Sequence, residues 1–209
     1  MLFTAAMAAA RNAVAALPVP RSDRLAFRII RHGDEIGRHS VTFEPRGNSL
    51  TVRVTVDAVV TLLSLPIVRY THQATETWLG ETLTGLSAET DKNGRHQWAS
   101  AQRTNEGLVV LGSQTQRYIA PEPAGTTSYW DKRALAGPMI SLEDGVLLRP
   151  KVTERTAETI PTASGAPAVA DHYVISGAFD VELWYDRTGT WASLAYTAAD
   201  GSTVRYERL

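Results

Sequence analysis

Three features of residues 24–209 predict an all-β fold: short runs of alternating apolar and polar side chains, turn dipeptides between them, and little helical periodicity. Connections of hairpin length make neighbouring strands antiparallel, so the chain reads as a single meander.

In chain order, "LAFRIIRHGDEIGRHSVTFE" gives two strands about Gly33-Asp34, and "RGNSLTVRVTVDAVV" a third after Gly47-Asn48. "IVRYTHQATETWLG" places Val68, Tyr70, His72, Ala74, Glu76 and Trp78 on one face. Asn93-Gly94, the strongest two-residue hairpin signal, joins "LTGLSAETD" to "RHQWASAQR". "GLVVLGS", "QRYIA", "GVLLRPKVTERT" and "ADHYVISG" follow, and the closing stretch from Val181 alternates through turns at Asp186–Gly189 and Asp200-Gly201. The total is on the order of ten to thirteen strands.

A sheet this long, with little helix to cover it, must curl or pair with itself to bury its apolar side. The strand spacing is that of a sandwich or a barrel-like sheet, with an incompletely filled concavity as its by-product and one or two short helices. The helical candidates are residues 4–16 and "SYWDKRALAG", stopped by Gly137-Pro138. "APEPAGTT" and "PTASGAP" read as loops, which leaves one β domain at 24–209 behind an Ala-rich segment at 1–23.

Apolar content of 44% and charged content of 21% are ordinary for a globular chain, and the net charge of −1 comes without a basic stripe, so no nucleic-acid partner is expected. Absence of cysteine removes disulfides, thiolate metal sites and cysteine nucleophiles. No apolar run approaches the roughly 18–20 residues of a spanning helix, so a membrane-spanning chain is not expected. The segment "MLFTAAMAAARNAVAALPVPRSD" has a small-x-small pattern at Ala13-Val14-Ala15, as before a signal-peptidase cut, but no basic residue ahead of its apolar stretch. It reads as a signal remnant, which implies a periplasmic or secreted protein, or as a short amphipathic helix, which leaves the protein cytoplasmic.

Chemistry is thinly signalled. His32, His39, His72, His96 and His172 show no HExxH or HxH spacing, so no metal site is expected. Nucleotide-binding glycine motifs and the GxSxG elbow are absent, and no cofactor is expected. His32 and His39 flank the first turn and are expected in solvent. His72 shares a face with Tyr70, Glu76 and Trp78, which makes it a candidate general base oriented by Glu76, against the plainer reading of a hydrogen-bonded histidine on a half-polar face. Tyr129 and Trp130 form a large aromatic pair in a loop. Docking over the sheet to close the core is the first reading, a ligand gate the second. Tyr70, Trp78, Trp98, Trp130 and Trp184 suit the wall of an amphipathic ligand cavity and suit an ordinary β core equally. "VVTLLSLPIV" is either a buried strand end or an apolar lip at a cavity mouth.

The chain resembles a family of exported bacterial proteins known as a domain of unknown function. The opening match runs through Phe27, Gly33, Ile36, Gly37, His39, Val41 and Phe43, and the second, Y-x-H-x-x-x-E-x-W, through Tyr70, His72, Glu76 and Trp78. A TTYW element is met by Thr126, Thr127, Tyr129 and Trp130, with Ser128 inserted. The last match runs through Leu183, Trp184, Tyr185, Asp186, Gly189, Trp191 and Asp200-Gly201-Ser202. This resemblance brings no activity with it. More distantly, the alternation and the closing strand pair resemble the half-barrel of periplasmic lipoprotein carriers, a shape the violacein-pathway rearrangement enzyme looks to share. That resemblance implies a half-barrel, or β-clam, around an apolar cavity for acyl chains or for a reactive small molecule, by analogy of fold alone.

Three functions follow as expectations. The first is an exported binding module for a lipid or other apolar small molecule, monomeric or weakly dimeric. The second is a cofactor-independent, isomerase- or cyclase-like enzyme in the same cavity, with His72, Glu76 and Tyr129 as candidate catalytic residues and Tyr70 assisting. The third is a structural or assembly protein of the envelope.

Overall fold

The computed structural model describes residues 17–62 and 65–209, with backbone alone at 62 and 65–67. The helix expected at 4–16 and the alternative signal segment lie outside the described residues, as does the centre of the apolar lip at 59–68.

The strands are β1 (Arg24–Arg31), β2 (Asp34–Arg46), β3 (Ser49–Leu62), β4 (Leu65–Leu79), β5 (Thr82–Lys92), β6 (Arg95–Thr104), β7 (Gly107–Gly112) and β8 (Thr115–Ile119). Two-residue pieces follow, β9 (Gly125–Thr126), β10 (Met139–Ile140) and β11 (Leu147–Leu148), with a short 3-10 helix at Lys132–Ala136. The chain then resumes long strands: β12 (Lys151–Ile160), β13 (Ala168–Ser176), β14 (Val181–Tyr185), β15 (Trp191–Thr197) and β16 (Thr203–Arg208).

Thirteen of these form one antiparallel sheet in the order β12-β13-β14-β15-β16-β1-β2-β3-β4-β5-β6-β7-β8. Every neighbour is a sequence neighbour except β16 and β1, so the two meanders join where the last strand pairs with the first. The turn chemistry explains the registers. Asn93 and Gly94 both take positive φ (56° and 82°), the backbone of a two-residue hairpin turn, and Lys92 pairs with Arg95 across it. The first hairpin turns one residue earlier than expected, at His32-Gly33, because His32 itself takes φ 54°.

The large antiparallel sheet is as expected; the single meander is instead two, and the half-barrel curl is not found. The sheet is open and not strongly curled, with β12 and β8 unpaired to each other. Much of its apolar face is covered instead by residues 120–150, the connection between β8 and β12. Only one short 3-10 turn stands where a helix was expected at 128–137, with Asp131 capping it through Arg133 N at 3.0 Å.

Alternation places Phe27, Ile29, Val41, Val52, Ile175, Leu183, Tyr185 and Trp191 on the covered face, all essentially inaccessible. Trp130, Met139 and Ile140 of the connection pack against them, also inaccessible. A much smaller cluster sits apart from this core: Ile160, Ala170, Trp184, Ala192 and Ala195.

Candidate functional site

The covered face has a filled end and a hollow end. At the filled end Trp130 meets Phe43 and Trp78 edge to face, with ring centroids 5.3 and 5.7 Å apart. Glu76 lies among them, fully buried. Both carboxyl oxygens accept: Oε1 from the Thr126 hydroxyl at 2.6 Å, and Oε2 from the indole N–H groups of Trp78 (3.0 Å) and Trp130 (2.9 Å). The inserted Ser128 joins this group through a 2.7 Å contact with Thr126. Three donors directed at one buried carboxyl satisfy a group that burial would otherwise penalise.

The hollow end is a cavity of about 890 Å³ between the sheet and segments 141–148, 178–181 and 198–200. Ile29, Val54, Val56, Leu194 and Val204 give it apolar walls, and Tyr70, Tyr129, Tyr196, Tyr206, His39 and His72 supply neutral polar groups. His39, Val56, His72 and Thr90 form one row across β2, β3, β4 and β5. His72 Nδ1 sits 2.8 Å from Thr90 Oγ1. Burial lowers its pKa to about 4, and lowers that of His39 to about 3 with help from the charge His72 would carry. Both imidazoles are therefore neutral at physiological pH.

His39 was expected in solvent. It is buried, because β2 alternation puts it in line with Val41 and Phe43. Trp191 and Tyr206 meet its ring edge to face at 5.1 and 5.6 Å, and its two ring nitrogens are the sealed polar side-chain atoms without a partner among the described residues.

The sequence-predicted residues divide. Tyr70, His72 and Tyr129 line the hollow. Tyr129 takes φ 59°, a left-handed backbone rare for an aromatic residue, and its carbonyl accepts from the Tyr185 hydroxyl at 2.8 Å. Trp78 and Trp130 belong to the filled end and do not reach the cavity. Trp98 is 45% exposed, because its strand position alternates with the buried Ala99 and Ala101. Trp184 lies in the small separate cluster, stacked on His172 at 4.7 Å with its N–H donated to Glu158. Glu76 does not orient His72: its oxygens are taken by two indoles and Thr126, and the hydrogen-bond partner of His72 is Thr90.

Sequence reasoning missed His39, Tyr196, Tyr206 and Glu143 as cavity residues. Period-2 spacing alone could have found His39. Tyr206 faces the hollow because β16 pairs with β1, a closure no local pattern announces. The Tyr70 hydroxyl donates to Glu143 Oε1 at 2.8 Å, which brings β4 to the 141–148 segment. Burial chiefly, and Glu143 next, push the Tyr70 phenol far above its ordinary value.

With this geometry in view, comparison over residues 27–209 decides the family. The chain belongs to the domain of unknown function family DUF6134. That match takes in nearly all of the sheet and both ends of its covered face. No curated protein matches the chain.

Proposed function

We propose that this DUF6134 protein binds a lipid or other apolar small molecule in the hollow between its sheet and the 120–150 connection. The observation that carries this reading is the cavity itself. Its volume of about 890 Å³ lies within the range of roughly 300–1,000 Å³ for small-molecule sites, and half of its lining residues are aliphatic. Such a hollow needs no closed barrel, only a connection that fills one end of the covered face of an open sheet and leaves the other.

An exported carrier fits the Ala-rich start, and cell fractionation of the tagged full-length protein tests that part. For binding, the protein is purified without detergent, examined by native mass spectrometry and then extracted with organic solvent. N-phenyl-1-naphthylamine is titrated into the extracted protein. Saturable fluorescence enhancement near one probe per chain is expected. Absence of both a co-purified molecule and saturable probe binding would sink the reading.

One observation favours catalysis as a second reading. Thr90 holds the ring of His72 in place, leaving a neutral imidazole at the cavity wall, the form that can accept a proton. If His72→Ala keeps probe binding but abolishes turnover of a ligand recovered from the native protein, the enzyme reading replaces simple carriage.

A further inference from the structure

The polar groups of the cavity are sorted by chemistry. Tyr70, Tyr129, Tyr196 and Tyr206 all line it, and Glu143 stands near enough to each to raise its phenol pKa, after burial, although at Tyr196 Arg31 acts more strongly and the opposite way. Tyr206 in turn feels Tyr196 and Tyr129. Four phenols and a carboxylate therefore gather about one place. Of the four hydroxyls, that of Tyr70 is engaged with Glu143 at 2.8 Å. Those of Tyr129, Tyr196 and Tyr206 have no hydrogen-bond partner among the described residues, and the hydroxyls of Tyr129 and Tyr206 are not sealed, so they open onto the hollow.

The charged groups around the hollow lean one way. Glu143, Asp144, Asp180 and Asp200 are acidic, whereas Arg31 and Lys92 are basic. Arg31 is already committed to Asp200 and to Ser202 Oγ, the latter at 2.8 Å, and Lys92, which pairs with Tyr70 across β4 and β5, is exposed to solvent. The histidines of the wall are buried and neutral. An anionic head group could accept from the phenol O–H groups, but it would leave water and meet the Glu143 carboxylate. Among the lining residues it would find as cations only the solvent-exposed Lys92 or an Arg31 already paired with Asp200. A head that donates a hydrogen bond meets the opposite situation: one carboxylate and three phenol oxygens can accept from it.

We propose that the ligand is an apolar molecule ending in a hydrogen-bond-donating, non-anionic head, an alcohol or a protonated amine, held by Glu143 and by the hydroxyls of Tyr129, Tyr196 and Tyr206. This rests on the reading that the cavity takes up apolar molecules, and it names which of them. Fatty acids and other anionic lipids are discriminated against.

The test is displacement of bound N-phenyl-1-naphthylamine from the full chain by decylamine, 1-decanol, decane and decanoate near neutral pH. Decylamine and decanol are expected to displace the probe at concentrations at least about tenfold below decanoate, and decanol below decane, as a site with unpaired polar groups should discriminate. In Glu143→Gln the preference of decylamine over decanoate narrows by about tenfold, and Tyr206→Phe narrows that of decanol over decane. Glu143 is exposed, so its variant should fold; if either variant does not, the ratios in the unaltered protein decide alone. Decanoate displacing as well as decylamine overturns the head-group proposal while leaving the cavity reading intact, because the probe was bound. A protein that binds no probe overturns both.

Discussion

The indole N–H of Trp130 donates to Oε2 of Glu76 at 2.9 Å, and this bond ties the 120–150 connection to the middle of β4. The Trp78 indole shares the same oxygen, and Thr126 takes the other. Side chains on two segments more than forty residues apart in sequence thus meet on one buried carboxyl.

Replacement of Glu76 separates shape from hydrogen bonding. Glu76→Leu leaves two buried indole N–H groups and a hydroxyl without their acceptor, and a loss of about 3 kcal/mol or more is expected. In Glu76→Gln the amide oxygen can still accept from both indoles, while its NH₂ donates to Thr126, whose hydroxyl can accept. That variant should lose less than half as much. Urea unfolding of the two variants measures the difference, and equal losses would show that the three bonds do not act as described.

Acid sensitivity follows from His39 and His72. Their folded pKa values, about 3 and about 4, lie below the unfolded value of 6.5. As pH falls below 6.5 the unfolded chain takes up protons that the folded chain refuses, so stability is lost toward acid, by at most about 1.4 kcal/mol per pH unit for each histidine. Asp200, depressed to about 2 by Ser202 and Arg31, acts in the same direction but only at lower pH. The His39→Phe variant should roughly halve the slope between about pH 6 and pH 4.5. It should also lose little at neutral pH, since the ring nitrogens of His39 have no partner to forfeit. Midpoints of urea unfolding across that range give the slope; an unchanged slope in the variant would mean that His39 titrates normally.

The strands were legible because alternation and turn dipeptides are local signals, and Asn93-Gly94 set its hairpin as its chemistry requires. Tyr70, His72, Glu76 and Trp78 were rightly placed on one face, yet that face is two environments, and nothing in a strand marks where filling gives way to hollow. The border is set by Trp130, which arrives from the connection and occupies the Glu76–Trp78 end. Trp98 and Trp184 misled because an aromatic residue on a strand is compatible with either face. The curl was overestimated because the apolar side can be covered by a loop-rich connection as well as by the sheet itself.

Gly112 shows how closely that connection lies against β7. A Cβ there would run into the Asp144 carbonyl and within 2.7 Å of Gly145 Cα, all of it backbone, where Gln114 N donates to Asp144 O at 3.2 Å. Gly112→Ala must push the 141–148 segment away, with a loss of about 1–3 kcal/mol, as overpacking usually costs. Glu143 moves with that segment, so probe affinity should fall together with stability. Normal thermal stability and binding in this variant would contradict the close contact.

The hollow itself is tested by adding the same atoms at both ends of the covered face. Val52 and Val56 sit four residues apart on one face of β3, and both are buried. Val52 pairs with Phe43 on one side and Glu76 on the other, where Trp130 fills the space, so Val52→Phe should cost about 1–3 kcal/mol through overpacking. Val56 pairs with His39 and His72 and borders the cavity, so the larger ring of Val56→Phe has room to enter. That variant should lose less than about 1 kcal/mol, yet bind N-phenyl-1-naphthylamine at least about tenfold more weakly, because the ring takes the volume the probe needs. The reverse pattern, with Val56→Phe the more damaging to stability and probe affinity untouched, would mean that the space beside His39 and His72 is already filled.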